Sequence, residues 1–326
     1  MIENNTVPDE TITISRSRLR FLESRAKAFG DACPYIWPFL YSLERRPCSL
    51  DIYDYGCVIT TDAMHSLLST HDFGLFSNLC TIMWTIIDIG SRNKPLPGRI
   101  STKFSMNHFK NDALLDNYHS IFLPPTSLAL ENLQKLVDKW PTRFDAHDNY
   151  HDLFLAQPGQ EWLKAYFAAY MVPAPRLAER IKFFLEKYSI RSKKTVAVCY
   201  RGTDKHVEIK QDPLEYYCSC VSRLIDSLKA EQLIVQTDQL QVRSYFCDKF
   251  GLDFCSFIEE LPCTSGSVVM HLQHDISLDK DVWAIDLIAM VFALSNAMGL
   301  VTHTGNIGFF MSMFSLSLKS TVVQCQ

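Results

Sequence analysis

The segment VAVCYRGTDKHVE, Val196 to Glu208, decides how the chain is read. It opens as a strand, Val196–Tyr200, and then sets an arginine, a hydroxyl, a carboxylate and an ammonium in succession at that strand's end. Downstream, Asp212 offers a helix N-cap and Pro213 a first helical residue. Leu214, Cys218, Val221, Ile225 and Leu228 follow at helical spacing. LIVQTD makes a second strand ending near Gln236. Asp238 stands where it can cap the next helix, which Gly251 ends with Phe246 and Phe250 on its buried side. Phe254–Ile258 is a third strand. After a loop from Pro262 to Lys280 come a helix Trp283–Asn296, a strand Leu300–Thr302 and a helix Ile307–Phe314. This alternation predicts a parallel, doubly wound α/β sheet. Ligands of such sheets gather outside the carboxyl ends of the strands. Those ends carry Arg201–Lys205, Thr237–Asp238, Glu259–Glu260 and Thr302–Asn306.

Upstream, EWLKAYFAAYMVPAPRLAERIKFFLEKY reads as two helices broken at Pro173 and Pro175. The second carries Leu177, Ile181, Phe184, Leu185 and Tyr188 as its apolar stripe and leads into the Val196 strand. The break marks the expected junction between domains 1–175 and 176–326. In HDFGLFSNLCTIMWTIIDIG, Gly74 and Asn78 flank the start of a long apolar helix ending at Gly90. Residues 91–150 are polar and proline-bearing, and their pattern assigns no order of elements.

A chain of 326 residues with 47% hydrophobic side chains can bury two cores of ordinary size. Its net charge of −4, without a block of Lys or Arg, gives nucleic acid or a membrane surface no electrostatic basis for binding. The longest apolar run, Leu287–Val301, is interrupted by Ser295 and Asn296 and is short for a bilayer span. The segment MIENNTVPDETITISRSRLR lacks the apolar core of a signal peptide. Eleven scattered cysteines, Cys199, Cys247 and Cys255 among them in apolar segments, read as reduced thiols and a cytoplasmic setting.

Arg201, directly after a buried strand, suits a bidentate grip on phosphate oxygens, or equally a bridge to a neighbouring carboxylate such as Asp204. The chain has only 12 glycines, yet Gly299, Gly305 and Gly308 cluster around THTGNIG. A glycine-bearing turn entering a helix presents N–H groups to an anion, although it can also be an ordinary tight turn. His271, His274 and Asp275 in HLQHD have metal-ligand types but read as a solvated loop. Asp279 and Asp281 in LDKD resemble the metal-binding Asp-x-Asp of some glycosyltransferases. Their place just before a helix fits capping better. Cys218 and Cys220, two apart on a helix, point to different sides. The chain has no serine elbow, Walker loop or GxGxxG.

Taken in order, these motifs resemble a family. VAVCYRGTDKHVE resembles the His-x-Arg-x-Thr-Asp-Lys segment of α1,6-fucosyltransferases and NodZ-like enzymes. VPAPRLAERIKFFLEKY is similar to the Pro-x-Pro helix that precedes that strand in the α1,6 enzymes. QDPLEYY, VQTDQ and DLIAMVFALSNAMGLVTHTGNIGFF follow in the family's order, and FGLFSNLCTIMWTI is similar to the loop and helix opening its acceptor domain. The resemblance covers about residues 160–315, with patches over 55–110. It implies a GT-B fold, two Rossmann-like domains facing across a cleft. It also implies inverting transfer of L-fucose from GDP-fucose to a glycan hydroxyl, with no cofactor and no obligatory metal.

On this resemblance Arg201 holds the donor diphosphate, Lys205 matches the lysine after the motif aspartate, and Asp286 matches an aspartate that contacts guanine. Thr302, Thr304, Gly305 and Asn306 lie near the β-phosphate. Glu208 matches the catalytic glutamate, allowing a one-residue deletion before Pro213. Asp204 is the alternative base, with Asp72 next. Cys199 stands where the family has a histidine near guanine, which leaves the donor base open. Two further readings are a GT-B enzyme using another nucleotide sugar and a non-catalytic nucleotide- or carbohydrate-binding protein.

Overall fold

A computed structural model describes residues 49–53, 56–61, 64–69, 74–103, 105–112, 115–137, 157–191, 193–202, 211–265, 279–315 and 321–325. Two sheets organise them.

The amino-terminal sheet contains β1 (Ser49–Tyr53), β2 (Gly56–Thr61), β3 (Met64–Ser69) and β4 (Arg99–Ser101) in that order. Strands β1 to β3 pair antiparallel with Tyr53 opposite Gly56 and Thr61 opposite Met64. Only residues 54–55 and 62–63 separate them, a connection that admits a hairpin and no parallel crossover. Gly56 is required by packing, since a Cβ there would lie 2.6 Å from the Leu68 carbonyl oxygen. Helix α1 (Leu75–Ser91) then carries the chain across to β4, which lies parallel to β3. This β3–α1–β4 crossover is the one parallel unit of the sheet among the described residues. The doubly wound pattern read for the second half is present there, whereas the first half, Rossmann-like by resemblance, has hairpin connections that impose a mixed sheet.

Helix α1 is apolar on every side and buried along nearly its whole length. Two of its buried hydroxyls bond back onto the helix itself: Thr81 and Thr85 donate to the Asn78 and Thr81 carbonyls. Short α2 (Tyr118–Ile121) and α3 (Ser127–Val137) follow, then α4 (Gln157–Tyr170) and α5 (Pro175–Lys187), separated at the expected proline break.

The carboxy-terminal sheet is wholly parallel, in the order β7-β6-β5-β8-β9, with β5 (Thr195–Tyr200), β6 (Gln232–Thr237), β7 (Cys255–Phe257), β8 (Gly299–His303) and β9 (Thr321–Cys325). Helices α6 (Leu214–Leu228), α7 (Leu240–Phe250), α8 (Lys280–Leu294) and α9 (Asn306–Phe314) connect them. Val196, Val198, Leu233, Val235 and Val301 face one cluster, with α6 and α7. Ala197, Ile234 and Leu300 face the other, with α8 and α9. Continuous β-branched runs are what a parallel sheet buried on both faces needs. The strands and helices read from sequence are all present, with ends shifted by one to three residues. Strand β9 is additional.

Two helix starts differ from expectation and a third agrees with it. Pro213, with extended ψ of 151°, is itself the N-cap of α6, so Asp212 lies one residue outside. Gln239 occupies the N-cap position of α7, with no side-chain capping bond, in place of Asp238, whose carboxylate is used elsewhere. Asp279 does cap α8, its Oδ1 accepting from the N–H groups of Asp281 and Val282, both at 3.1 Å. Gly251 closes α7 at φ 84°, where a side chain would be strained.

One hydrophobic cluster runs through both halves. Phe309, Phe310 and Phe314 of α9 pack on Phe167 of α4 at centroid separations of 5.8, 5.1 and 5.5 Å. Phe76 and Trp84 of α1 meet Phe310 and Phe309 at 5.2 and 6.0 Å. The cysteines among the described residues are free thiols. No described helix is long and apolar enough to cross a membrane.

Candidate functional site

In the parallel sheet the strand order reverses between β5 and its neighbour β8, and a doubly wound sheet opens its ligand crevice at such a point. The register pairs Val198 with Val301. The carboxyl ends of β5 and β8 therefore emerge side by side, and they carry Arg201 and the turn Thr302–Asn306. The two anion-suited elements read separately from sequence are brought together.

The β5 end is pinned by backbone contacts. Gln211 Nε2 donates to the Arg201 carbonyl at 2.7 Å, and the Gly202 N–H donates to Asp238 Oδ1 at 3.0 Å. This second bond is where Asp238 spends the carboxylate expected to cap α7. A Cβ on Gly202 would lie 2.0 Å from Gln239 Oε1, so the segment also fits closely against the β6 end. Cys199, just below, is buried, and burial first, then the Asp238 charge, pushes its thiol up to about 12 against the opposing Arg201 guanidinium. It stays protonated and offers at most a weak S–H donor.

The β8 end is built around His303 and Gly308. The Gly305 N–H donates to His303 Nδ1 at 2.8 Å, which places the proton of a neutral ring on Nε2. That donor, expected to serve an anion, is thus turned onto the imidazole. The other backbone donors at this point belong to the first turn of α9, whose N–H groups have no acceptor within the helix; the first intrahelical bond runs from the Phe309 N–H to the Gly305 carbonyl. A Cβ on Gly308 would lie 1.9 Å from the His303 carbonyl oxygen and 2.6 Å from Thr302 Oγ1, so the helix starts hard against the strand end. The Cys80 thiol of α1 donates to Asn306 Oδ1 at 3.5 Å, tying the start of α9 to the other half of the chain.

Asp286 lies on α8, and both of its oxygens are engaged by Arg180 of α5: Nε to Oδ1 at 2.5 Å and Nη2 to Oδ2 at 2.9 Å. The Arg180 guanidinium also lies 4.1 Å over the Phe183 ring. Sequence reasoning missed Arg180. Its only signal is an arginine beside the apolar stripe of α5. At the β7 end, Glu260 accepts from Lys187 Nζ at 2.6 Å and from the Tyr188 hydroxyl at 2.7 Å. Asn111 Nδ2 donates to Asp279 Oδ1 and Asp281 Oδ2 at 2.9 and 3.0 Å, so these carboxylates are joined to a cap and a side-chain clasp. Asp204, Lys205 and Glu208 lie outside the described residues, as do Asp72, His271, His274 and Asp275.

No family model matches this chain, and no curated protein matches it. Among solved structures it is similar to NodZ α-1,6-fucosyltransferase co-crystallised with GDP, with TM-score 0.47, 12% identity, and coverage of 79% of this chain and 93% of that one. The same enzyme soaked with GDP-fucose gives TM-score 0.47 at 13% identity, covering 76% of this chain and 91% of that one. An Arabidopsis thaliana FUT1 variant in complex with GDP gives 0.42 at 9%, covering 92% and 78%. At this level of superposition the likeness assigns the present chain no activity, ligand or substrate.

Proposed function

We propose that the chain is an inverting glycosyltransferase of GT-B architecture that moves L-fucose from GDP-fucose to a glycan hydroxyl. Residues 1–175 form its acceptor side and 176–326 its donor side. The observation that carries this reading is the meeting of Arg201 and the first turn of α9 on adjacent strands where the strand order reverses. An arginine and a helix N-terminus at neighbouring strand ends suit a diphosphate. As the bond from sugar to diphosphate breaks, negative charge grows on the leaving group, and these fixed donors stabilise it without reorganising. Thr302, Thr304 and Asn306 lie on the same turn, and Lys205 adds positive charge.

An acceptor hydroxyl must lose its proton as it attacks. Glu208 is the proposed base, and Asp204, between an arginine and a lysine in sequence, is the alternative that fixes the loop. The free thiols suit a reducing compartment such as the cytoplasm.

A second reading keeps the architecture and changes the donor. Cys199 is a buried protonated thiol, and Asp286, expected at guanine, has both oxygens engaged by Arg180. A GT-B transferase using another nucleotide sugar fits these two facts equally well. A thermal-shift panel of GDP, UDP, CMP and their sugars decides, because a ligand that binds only the folded form raises its melting temperature. Stabilisation by GDP and GDP-fucose but not UDP supports the first reading. A UDP-selective shift supports the second.

A further inference from the structure

The sheet face covered by α8 changes character over two residues. Ala197 lies opposite Ile234 and Leu300, and Leu300 opposite Val322, an apolar row across β6, β5, β8 and β9. Two residues nearer the carboxyl ends, Cys199 lies opposite Gln236 and Thr302 opposite Gln324. Alternation points this second row to the same side. It carries two carboxamides, a hydroxyl and a thiol, each member being the last but one of its strand. Gln236 Oε1, Thr302 Oγ1 and Gln324 Nε2 are buried with no hydrogen-bond partner among the described residues.

Of the three, Gln236 stands out. It is only 8% exposed, and the other polar side chains of its strand, Gln232 and Thr237, are hydrogen-bonded; leucine or methionine would occupy its volume without an unpaired amide oxygen. It lies beside Cys199 on the side of β5 away from β8. At a strand spacing of about 4.8 Å it sits roughly 10 Å from the β8 row position. A ligand whose diphosphate rests between Arg201 and α9 and whose nucleoside runs along the carboxyl edge toward β6 brings its base to this position.

We infer that Gln236 reads the base of the bound nucleoside diphosphate, its carboxamide pairing with adjacent hydrogen-bonding groups on the base edge. The inference rests on the nucleotide-sugar reading above. It assigns base recognition to a carboxamide one strand away from Cys199, whose thiol is too weak a donor for that work. A carboxamide both donates and accepts, which suits the adjacent carbonyl and N–H of guanine.

The test is calorimetric binding of GDP and of inorganic pyrophosphate to the full chain and to Gln236→Met, which keeps length and volume without the amide. GDP affinity is expected to fall about tenfold, with pyrophosphate affinity unchanged. The ligand-free variant is expected to melt no lower than wild type, since a buried amide oxygen without a partner is gone. Gln236→Leu removes the same amide and is expected to show the same selective loss of GDP affinity, which keeps the test open should the methionine variant fold poorly. Unchanged GDP affinity in Gln236→Met overturns the inference and leaves a buried water as the partner of Oε1. Equal losses for GDP and pyrophosphate overturn it too, by showing a general distortion. Failure of every nucleotide to bind wild type overturns the donor reading itself, and the inference with it.

Discussion

Gly308→Ala tests the strand-to-helix step on which the proposed diphosphate site depends. The added Cβ would lie 1.9 Å from the His303 carbonyl oxygen, which is backbone at the end of β8 and cannot rotate aside. Reaching even 3.0 Å requires the two to part by about 1.1 Å. Two effects oppose each other. Alanine favours a helix over glycine by about 1 kcal/mol, while overpacking of this kind costs about 1–3 kcal/mol. The clash is with backbone that cannot rotate aside, so the upper part of the overpacking range applies, and a net loss of up to about 2 kcal/mol is expected in urea unfolding. Because Phe309, Phe310 and Phe314 lock the body of α9 against α1 and α4, the displacement falls on its first turn. A shift of about 1 Å in the donors facing the leaving group lowers transfer by about 10²-fold, and GDP affinity falls alongside. Gly98→Ala is the control, its nearest contact lying 3.9 Å away at Leu130, and it should unfold like wild type. A Gly308→Ala protein with the wild-type urea midpoint and wild-type GDP binding would refute the reasoning.

Arg201→Ala should weaken GDP binding as well as turnover, each lost charge-assisted bond being worth about 1.5–3 kcal/mol; Glu208→Gln should keep GDP affinity while turnover falls about 10²–10⁴-fold, both read by calorimetry beside initial rates. Arg180→Met leaves the buried Asp286 carboxylate unpaired and should cost about 3–5 kcal/mol in urea unfolding, more than Asp286→Asn, which leaves a partly exposed arginine able to reach water. Burial raises the Glu260 carboxyl, but its bonds from Lys187 and Tyr188 outweigh that and hold it below its ordinary 4.5. A depressed carboxyl stabilises above its unfolded value and stops doing so as pH falls through the folded one, so stability measured as pH falls past 4.5 should show a loss that Glu260→Gln lacks. EDTA should leave transfer largely unchanged; complete loss restored by manganese would make Asp279 and Asp281 ligands as well as caps.

The carboxy-terminal half was legible because its strands are short β-branched runs separated by amphipathic helices, so period and punctuation agree. That pattern also brings Arg201 and residues 302–306 to one edge before any coordinates are seen. Strand β9 escaped although Thr321, Val322 and Val323 are β-branched, since a single edge strand has no following helix to mark it. The hairpins of the first half escaped for a different reason: GCVITT and MHSLLS do not alternate cleanly, and their pairing depends on register. The Arg180–Asp286 pair joins helices 106 residues apart, which no local window reports. Nor does sequence show that Gln236 faces the same side as Cys199 and Thr302, because that follows from register across three strands.

Helix α9 has its amino end at the crevice and its phenylalanines in the core shared by both halves, and this affects how ligand binding will register in experiment. A local lid can open and close without the rest of the protein taking part. A ligand gripping the start of α9 holds an element that frays only if Phe309, Phe310 and Phe314 leave the aromatic cluster, so its protection spreads. Amide hydrogen exchange should slow on binding in the middle of α1 and at the end of α4 as well as at residues 305–309, since the three helices belong to one cooperatively opening unit.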